Sequence, residues 1–347
     1  MEKKSEVDPT KRVRVSFIGV GRWAGVLADA AKRSKRIEIA GCHSRSEEKM
    51  AAFTGKFGGV AKKTFKDVMV DDGVDAIVVT TPNSFHAPLA IEAFKNGKHV
   101  FVDKPMALTV RDCEKMIAAA KETGRILAIG HKDRRLPMVR RAKELIDQGA
   151  VGHVVLIESS HSDPLGLRLT PQDWQWYQKE TPGGPLCGLT VHHGDTFQYL
   201  VGPVKRVTAF ISKIHGKAET DDVMSAAVEF ENGVLGYLGG AYITPKRKLL
   251  QINGTEGVIV VDFERGSVHY QKKGTPKPVK QESLADGDAQ RKEACFAELD
   301  EFARCIQEGG RPETAGEEGL AAWAIMEAII KSAKSGLPVE IKSLLNH

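Results

Sequence analysis

The chain has 347 residues, enough for two domains, because a single hydrophobic core stops growing well before that length. Apolar residues make up 41% and charged residues 27%, and no apolar run approaches the roughly 18–20 residues that span a bilayer, so a soluble rather than a membrane protein is expected. The net charge is +5, but the basic residues are dispersed among 45 acidic ones, without a basic block or basic–aromatic interleaving, which excludes nucleic acid as the expected partner.

Residues 1–11 are polar and charged, with no apolar stretch of the kind a signal peptide carries, and read as a loose tail; cytoplasm is the expected location. Residues 12–131 and 132–347 then differ in style and are expected to be two domains. In the first, the strand-like run Val13–Ile18 leads into Gly19-Val20-Gly21-Arg22-Trp23-Ala24 and an amphipathic helix over Trp23–Ser34. Gly19 allows the tight turn out of the strand, Gly21 lets backbone approach a pyrophosphate, and Ala24 lets the helix pack closely. The uncapped N–H groups of such a helix attract phosphate. Further strands are predicted over Ile37–Cys42, Ala76–Thr80, His99–Asp103 and Ile126–Ile129, with helices over Glu47–Phe57, Ser84–Asn96 and Thr109–Glu122. Alternation of buried strands and helices implies a doubly wound parallel sheet.

Ligands bind such sheets at the carboxyl ends of the strands. The second strand ends near Ser44 and Arg45 and offers no carboxylate there. A carboxylate would repel a ribose 2′-phosphate, whereas Ser and Arg can bind one, so NADP is favoured over NAD. Alternatively Arg45 is a solvated loop residue and Ser44 or Ser46 only caps the next helix. Thr80-Thr81-Pro82-Asn83 closes a later strand on the same edge, with His86 beyond it, and Asp103-Lys104-Pro105 closes the next. Lys104, partly desolvated beside a cationic nicotinamide, would have a lowered pKa suited to moving a proton or holding an alkoxide.

Past residue 131 one helix, Pro137–Gln148, precedes alternating strands over Val154–Ser160, Val204–Ile214, Val223–Phe230, Val234–Ile243, Leu249–Ile252 and Gly257–Phe263. Strand following strand implies an open, mostly antiparallel sheet. Residues Lys272 to Asp288 read as a loop, and two helices, Arg291–Glu308 and Glu317–Lys334, close the chain. The five cysteines are scattered without a C-x-x-C pair and read as reduced structural thiols. No metal site is expected, since His192-His193 has no third ligand at suitable spacing.

Taken together, Gly-x-Gly-x-Trp-Ala, Thr-Pro-Asn-x-x-His, Gly97-Lys98-His99-Val100 running into Asp103-Lys104-Pro105, Gly130-His131-x-x-Arg134, Gly183-Gly184, His192-x-x-Asp195 and Gly254-Thr255-Glu256-Gly257 closely resemble the Gfo/Idh/MocA oxidoreductases. The resemblance covers nearly the whole chain. It implies a Rossmann domain followed by an α+β domain for substrate binding and oligomerisation, and an NAD(P)-dependent enzyme acting on secondary alcohols of sugars, polyols and cyclic diols. Through it Lys104 matches the lysine that binds the reacting oxygen, Asp103 stands for the usual Glu, toward the nicotinamide ribose, and His192 matches the acid/base histidine of an Asp-x-Gly-x-His-x-x-Asp pattern. Gly188 and Thr190 depart from that pattern at its first Asp and its Gly.

The chemistry closes without that aspartate: hydride leaves a carbinol carbon, His192 takes the hydroxyl proton, and Lys104 holds the developing alkoxide. His193 and Asp195 could orient or replace His192, or one histidine only packs. Arg134 either reaches a substrate oxygen or carboxylate, or is a solvated side chain. Trp174 and Trp176 either stack on a sugar ring, anchor their loop, or pack at a subunit interface. The expected activity is NADP(H)-preferring hydride transfer to or from a sugar, glycoside or polyol, by a homodimer or homotetramer. The alternatives are a dihydrodiol dehydrogenase, or a nucleotide-sensing regulator without turnover.

Overall fold

The computed structural model describes residues 11–276, 280–283 and 286–345. The chain divides into two compact units, each built from separated stretches: residues up to 106, 112–130 and 292–319 in the first, and 107–111, 131–291 and those from 320 onward in the second.

The first unit holds β1 (Val13–Ile18), α1 (Arg22–Arg33), β2 (Ile37–His43), α2 (Glu47–Phe57), β3 (Val60–Ala61), α3 (Phe65–Met69), β4 (Ala76–Val79), α4 (His86–Lys95), β5 (His99–Asp103), α5 (Val110–Thr123) and β6 (Leu127–Gly130). Its six strands are all parallel, in the order β3-β2-β1-β4-β5-β6. Strand order therefore reverses beside β1, and this switch point opens a crevice at the strands' carboxyl ends. The short β3 and α3 were not legible in the sequence: a two-residue strand and a five-residue helix are too short for periodicity to reveal.

The core of this unit explains a correction to the expected domain boundary. Val13, Val15, Phe17, Val78 and Phe101 of the sheet pack with Ala24, Leu27, Ala28 and Ala31 of α1. Cys295, Leu299, Phe302 and Ile306, from a helix spanning Gly287–Glu308, complete the same cluster. The rings of Phe101 and Phe302 meet edge to face, with centroids 5.9 Å apart. Each such buried aromatic contributes about 1.5–3 kcal/mol relative to exposure. Residues 292–319, expected in the second domain, thus belong to the first.

The second unit contains α6 (Pro137–Asp147), β7 (Val154–Ser162), α7 (Val191–Leu200), β8 (Val204–Ser212), β9 (Val223–Phe230), β10 (Leu235–Ala241), β11 (Arg247–Gly254), β12 (Gly257–Asp262), β13 (Ser267–Lys272) and β14 (Lys280–Ser283). The helix over Gly287–Glu308 is α8; α9 (Gly316–Ser335) and β15 (Val339–Glu340) follow. Nine strands form one sheet, β14-β13-β12-β11-β7-β10-β9-β8-β15, antiparallel except where β10 lies parallel to β7. Most of this follows the alternation read from the sequence. The expected loop over Lys272–Asp288 instead carries β14, which pairs with β13 and is tied to α6 by an ion pair of Glu282 with Arg141 at 3.0 Å. One face of the sheet is packed, as where Ser332 of α9 accepts the Ala209 N–H at 3.0 Å. Phe210, Leu235 and Tyr237 point from the other and are exposed. Among the described residues no helix is long and apolar enough to cross a membrane, and all five cysteines are buried and unbridged.

Candidate functional site

In the first unit the glycine loop has the conformation its sequence implies. Gly19 leaves β1 with φ +86°, and a Cβ there would lie 2.8 Å from the Thr80 carbonyl oxygen. Thr80 Oγ1 in turn donates to the Gly19 carbonyl at 2.6 Å, locking the ends of β1 and β4 together. Gly21 is the N-cap of α1; no side chain caps that end and no acidic residue lies in its first turn. A Cβ on Gly21 would meet nothing within 4 Å, so the approach to the helix end is open. Val20 is buried beneath the turn, while Arg22 is exposed and Trp23 half-buried. The Thr81 hydroxyl is buried without a hydrogen-bond partner among the described residues. An open, uncapped helix terminus beside an orphaned hydroxyl fits a phosphate-bearing nucleotide.

Around the end of β2, Ser44, Arg45, Lys62 and Lys63 line a recess of about 780 Å³, with Glu47 the acidic residue on its wall. Ser46, not Ser44, caps α2 by accepting the Lys49 N–H. Lys62 is paired with Asp71 at 2.8 Å, whereas Arg45 and Lys63 are exposed. The two lysines were missed in the sequence because they enter the recess only through the pairing of β3 with β2.

Asp103 ends β5 and Lys104 follows it, both half-buried, and the Lys104–Pro105 bond is cis. Asp103 pairs in register with Gly130 of β6, and a Cβ on Gly130 would sit 3.2 Å from its carboxylate. His86 is buried, with Nδ1 2.8 Å from the Pro105 carbonyl and Nε2 3.0 Å from the Thr81 carbonyl. Burial pushes its pKa down. It braces the turn carrying Lys104 against the turn carrying Thr81-Pro82-Asn83, where Asn83 is also buried.

In the second unit a cavity of about 290 Å³ is lined by Lys132, Asp133, His161, Gly188, His192 and Lys248, among others. His192 Nε2 lies 3.3 Å from Lys132 Nζ, and His192 Nδ1 lies 3.9 Å from Asp133. Asp133 accepts from Lys132 at 3.1 Å and also from Lys248. Burial pushes its carboxyl up, but His192, Lys132 and Lys248 together outweigh burial and hold it well below the usual range. Burial lowers the Lys248 pKa to about 8, with Asp133 pulling the other way, and its ammonium sits 4.2 Å over the Phe263 ring. His193, wholly buried, touches Ser159 through Nδ1 and stacks between His161 and Phe263. Burial drives its pKa down to about 3.

Two residues read separately as substrate groups meet each other. Arg134 makes a forked ion pair with Asp195, at 3.0 and 2.5 Å, and lies over the Tyr199 ring. Trp174 and Trp176 are half-buried in a short turn held by the Thr220 N–H to the Trp176 carbonyl, and neither lines the cavity at His192. Gly188 has a structural reason: a Cβ there would run into the hydroxyl of buried Tyr242. Asp133 and Lys248 were missed. Lys248 had a signal, since on β11 it shares the inward parity of Leu250 and Ile252, where an apolar residue belongs.

Residues 13–131 match the GFO/IDH/MocA oxidoreductase family with NAD-binding Rossmann fold, and residues 139–260 match the GFO/IDH/MocA C-terminal domain. An oxidoreductase structure from Desulfitobacterium hafniense, provisionally assigned as NADPH-dependent, is 30% identical, with 96% of this chain and 99% of that one covered and a TM-score of 0.88. The chain belongs to the GFO/IDH/MocA oxidoreductases. The 1,5-anhydro-D-fructose reductase of Ensifer adhaerens is 28% identical over 95% of this chain and 99% of its own length. A levoglucosan dehydrogenase complexed with NADH and levoglucosan shares the fold, at 22% identity, TM-score 0.87, and 95% and 100% coverage. As a member of this family the chain is an NAD(P)-dependent oxidoreductase, and its first unit is the nicotinamide-nucleotide-binding Rossmann unit.

Proposed function

We propose that this enzyme is an NADP(H)-preferring dehydrogenase or reductase acting on a secondary hydroxyl, or its ketone, of a sugar, glycoside or polyol. The observation that carries the reading is His192: a buried imidazole beside a lysine, facing a polar cavity, in a chain whose other unit is a dinucleotide-binding sheet. Gly19, Val20, Gly21, Arg22 and Trp23 would hold the pyrophosphate, and Thr81, Pro82, Asn83 and Asp103 the nicotinamide half, with His86 bracing their turns. Ser44 and Arg45 would take a 2′-phosphate, and Lys63 adds a second exposed cation to the same recess. When bound, the nicotinamide ring accepts or supplies hydride.

The protein's share is proton and charge handling. In the oxidative direction His192 takes the hydroxyl proton as the carbinol carbon gives up hydride, and Lys104 stabilises the oxygen as negative charge grows. Arg134 and Asp195 fix the position of α7 rather than touching substrate, because each neutralises the other. His193, held neutral by burial, packs between His161 and Phe263 and takes no part in proton exchange. Trp174 and Trp176 lie outside the lining of the His192 cavity, so they would stack only on a sugar ring that extends beyond it. The exposed apolar row Phe210, Leu235 and Tyr237 supports association of copies through the open sheet face, as a homodimer or homotetramer.

A second reading, a dehydrogenase for cyclic diols that carry a carboxylate, is favoured by the two lysines lining the cavity, Lys132 and Lys248. Fluorescence titration with NADPH and NADH tests the cofactor; tighter NADH binding refutes the reading of Ser44 and Arg45. Absorbance at 340 nm with a panel of sugars, inositols, anhydrosugars and carboxylated diols tests the substrate class. On any turned-over substrate, Lys104→Ala should abolish turnover while NADPH still binds; an active variant refutes the site.

A further inference from the structure

Asp133 is buried among three groups that carry or can take a positive charge, each from a different part of the second unit. Lys132, its neighbour in sequence, donates to Oδ1 at 3.1 Å; Lys248 of β11 donates to Oδ2; His192 of α7 presents Nδ1 3.9 Å from Oδ2. That last separation is an ion-pair distance, so the coupling to His192 works through charge.

The remaining titratable groups facing His192 do not duplicate this carboxylate. His131 stands edge-on to the His192 ring at 6.4 Å, and burial holds His161 and His193 neutral. Asp195, three residues along the same helix, is committed to Arg134. Glu264, after β12, accepts the Lys248 backbone N–H, while Lys246, Asp286, Asp288 and Arg291 complete the cavity lining. Gly188 brings no side chain, and the space beside it is taken by the Tyr242 hydroxyl. Among the described residues Asp133 is a buried carboxylate at ion-pair distance from this imidazole.

We infer that Asp133 is the positioning residue of the site: it keeps Lys132 and Lys248 charged beside His192, and it sets how tightly the His192 imidazole holds the proton it exchanges. The inference rests on the reading of His192 as the proton-handling group. A carboxylate beside an imidazole favours imidazolium, and two ammoniums oppose it, so the carboxylate and the lysines act with opposite sign on the same equilibrium. The arrangement keeps His192 able to both take and return a proton, as a reversible oxidoreduction requires.

The test is an NMR titration of the full chain carrying ¹⁵N- and ¹³C-labelled histidine, with the His192 signal assigned by its loss in His192→Gln. It is run on the wild type, Asp133→Asn and Lys248→Met, with no substrate present. Asp133→Asn should lower the His192 midpoint by about 1–3 pH units. Lys248→Met should raise it, because one opposing ammonium is gone. A general loosening of the fold would not move one midpoint in opposite directions. Unchanged midpoints, or shifts of the same sign, overturn the inference; if Asp133→Asn does not fold, Lys248→Met decides by whether the midpoint rises. Full turnover by His192→Gln on a substrate from the panel would instead overturn the role of His192, and the two failures are read from separate measurements.

Discussion

The forked pair of Arg134 and Asp195 separates a structural role from a substrate role in one experiment. Both of its contacts are short, and Asp195 is 1% exposed, so solvent cannot replace a lost partner. Two unit charges roughly 3 Å apart at an effective dielectric near 20 attract by about 5 kcal/mol, from which the cost of desolvation is subtracted. Removing one partner leaves the other charge buried, which typically costs about 3–5 kcal/mol. For the second unit, of roughly two hundred residues, each kcal/mol corresponds to about 2–4 °C in Tm, so Arg134→Met should melt about 6–20 °C below wild type. Arg134→Met/Asp195→Leu removes both charges and should recover most of that loss. Three of the four tryptophans, Trp174, Trp176 and Trp323, lie in this unit, so intrinsic fluorescence follows its unfolding, with far-UV circular dichroism as the second probe. An Arg134→Met variant that melts at the wild-type temperature while its KM rises would refute the argument and return Arg134 to the substrate.

Two further outcomes follow from buried groups. His99 accepts the Ile126 N–H at Nδ1 at 3.0 Å, and burial, helped by Arg125, lowers its pKa to about 4. The unfolded chain, with His near 6.5, binds the proton more tightly, so stability is intact above about pH 6.5 and falls by about 3 kcal/mol as pH drops through 4. His99→Asn should flatten that part of the Tm–pH curve for the first unit; a slope equal to wild type argues against it. Gly188→Ala should destabilise by about 1–3 kcal/mol through overpacking on the Tyr242 hydroxyl, and adding Tyr242→Phe should restore part of the loss. Strictly additive effects in denaturant melts would refute the contact.

The Rossmann half was legible because its signals are local. A glycine pair between a strand and a helix, and strand ends carrying Thr81 and Lys104, need only a few neighbouring residues to be read. The second unit hid its chemistry because the groups around His192 are far apart in sequence. Asp133 and Lys248 are separated by 115 positions and meet only once β11 has paired with β7 and the loop after β6 has turned inward. Arg134 and Asp195 showed the converse failure: each looked like an available charge because nothing in the sequence reveals that they neutralise one another. Gly188 stood out as a departure from a pattern, but its cause, Tyr242, lies on a segment with no motif.

The helix over Gly287–Glu308 also dictates when the nucleotide-binding unit can exist. Cys295, Leu299, Phe302, Ala303 and Ile306 fill a core whose other buried members were all translated by residue 128. On the ribosome the nascent Rossmann sheet must therefore wait, with the apolar patch around Phe101 uncovered, until residues 295–306 have emerged. A fragment cut after residue 131, which the sequence would suggest as a free-standing domain, lacks that cover and should be prone to aggregation. The glycine motif at residues 19–21 thus depends on a helix that is made only after the whole antiparallel sheet up to β14.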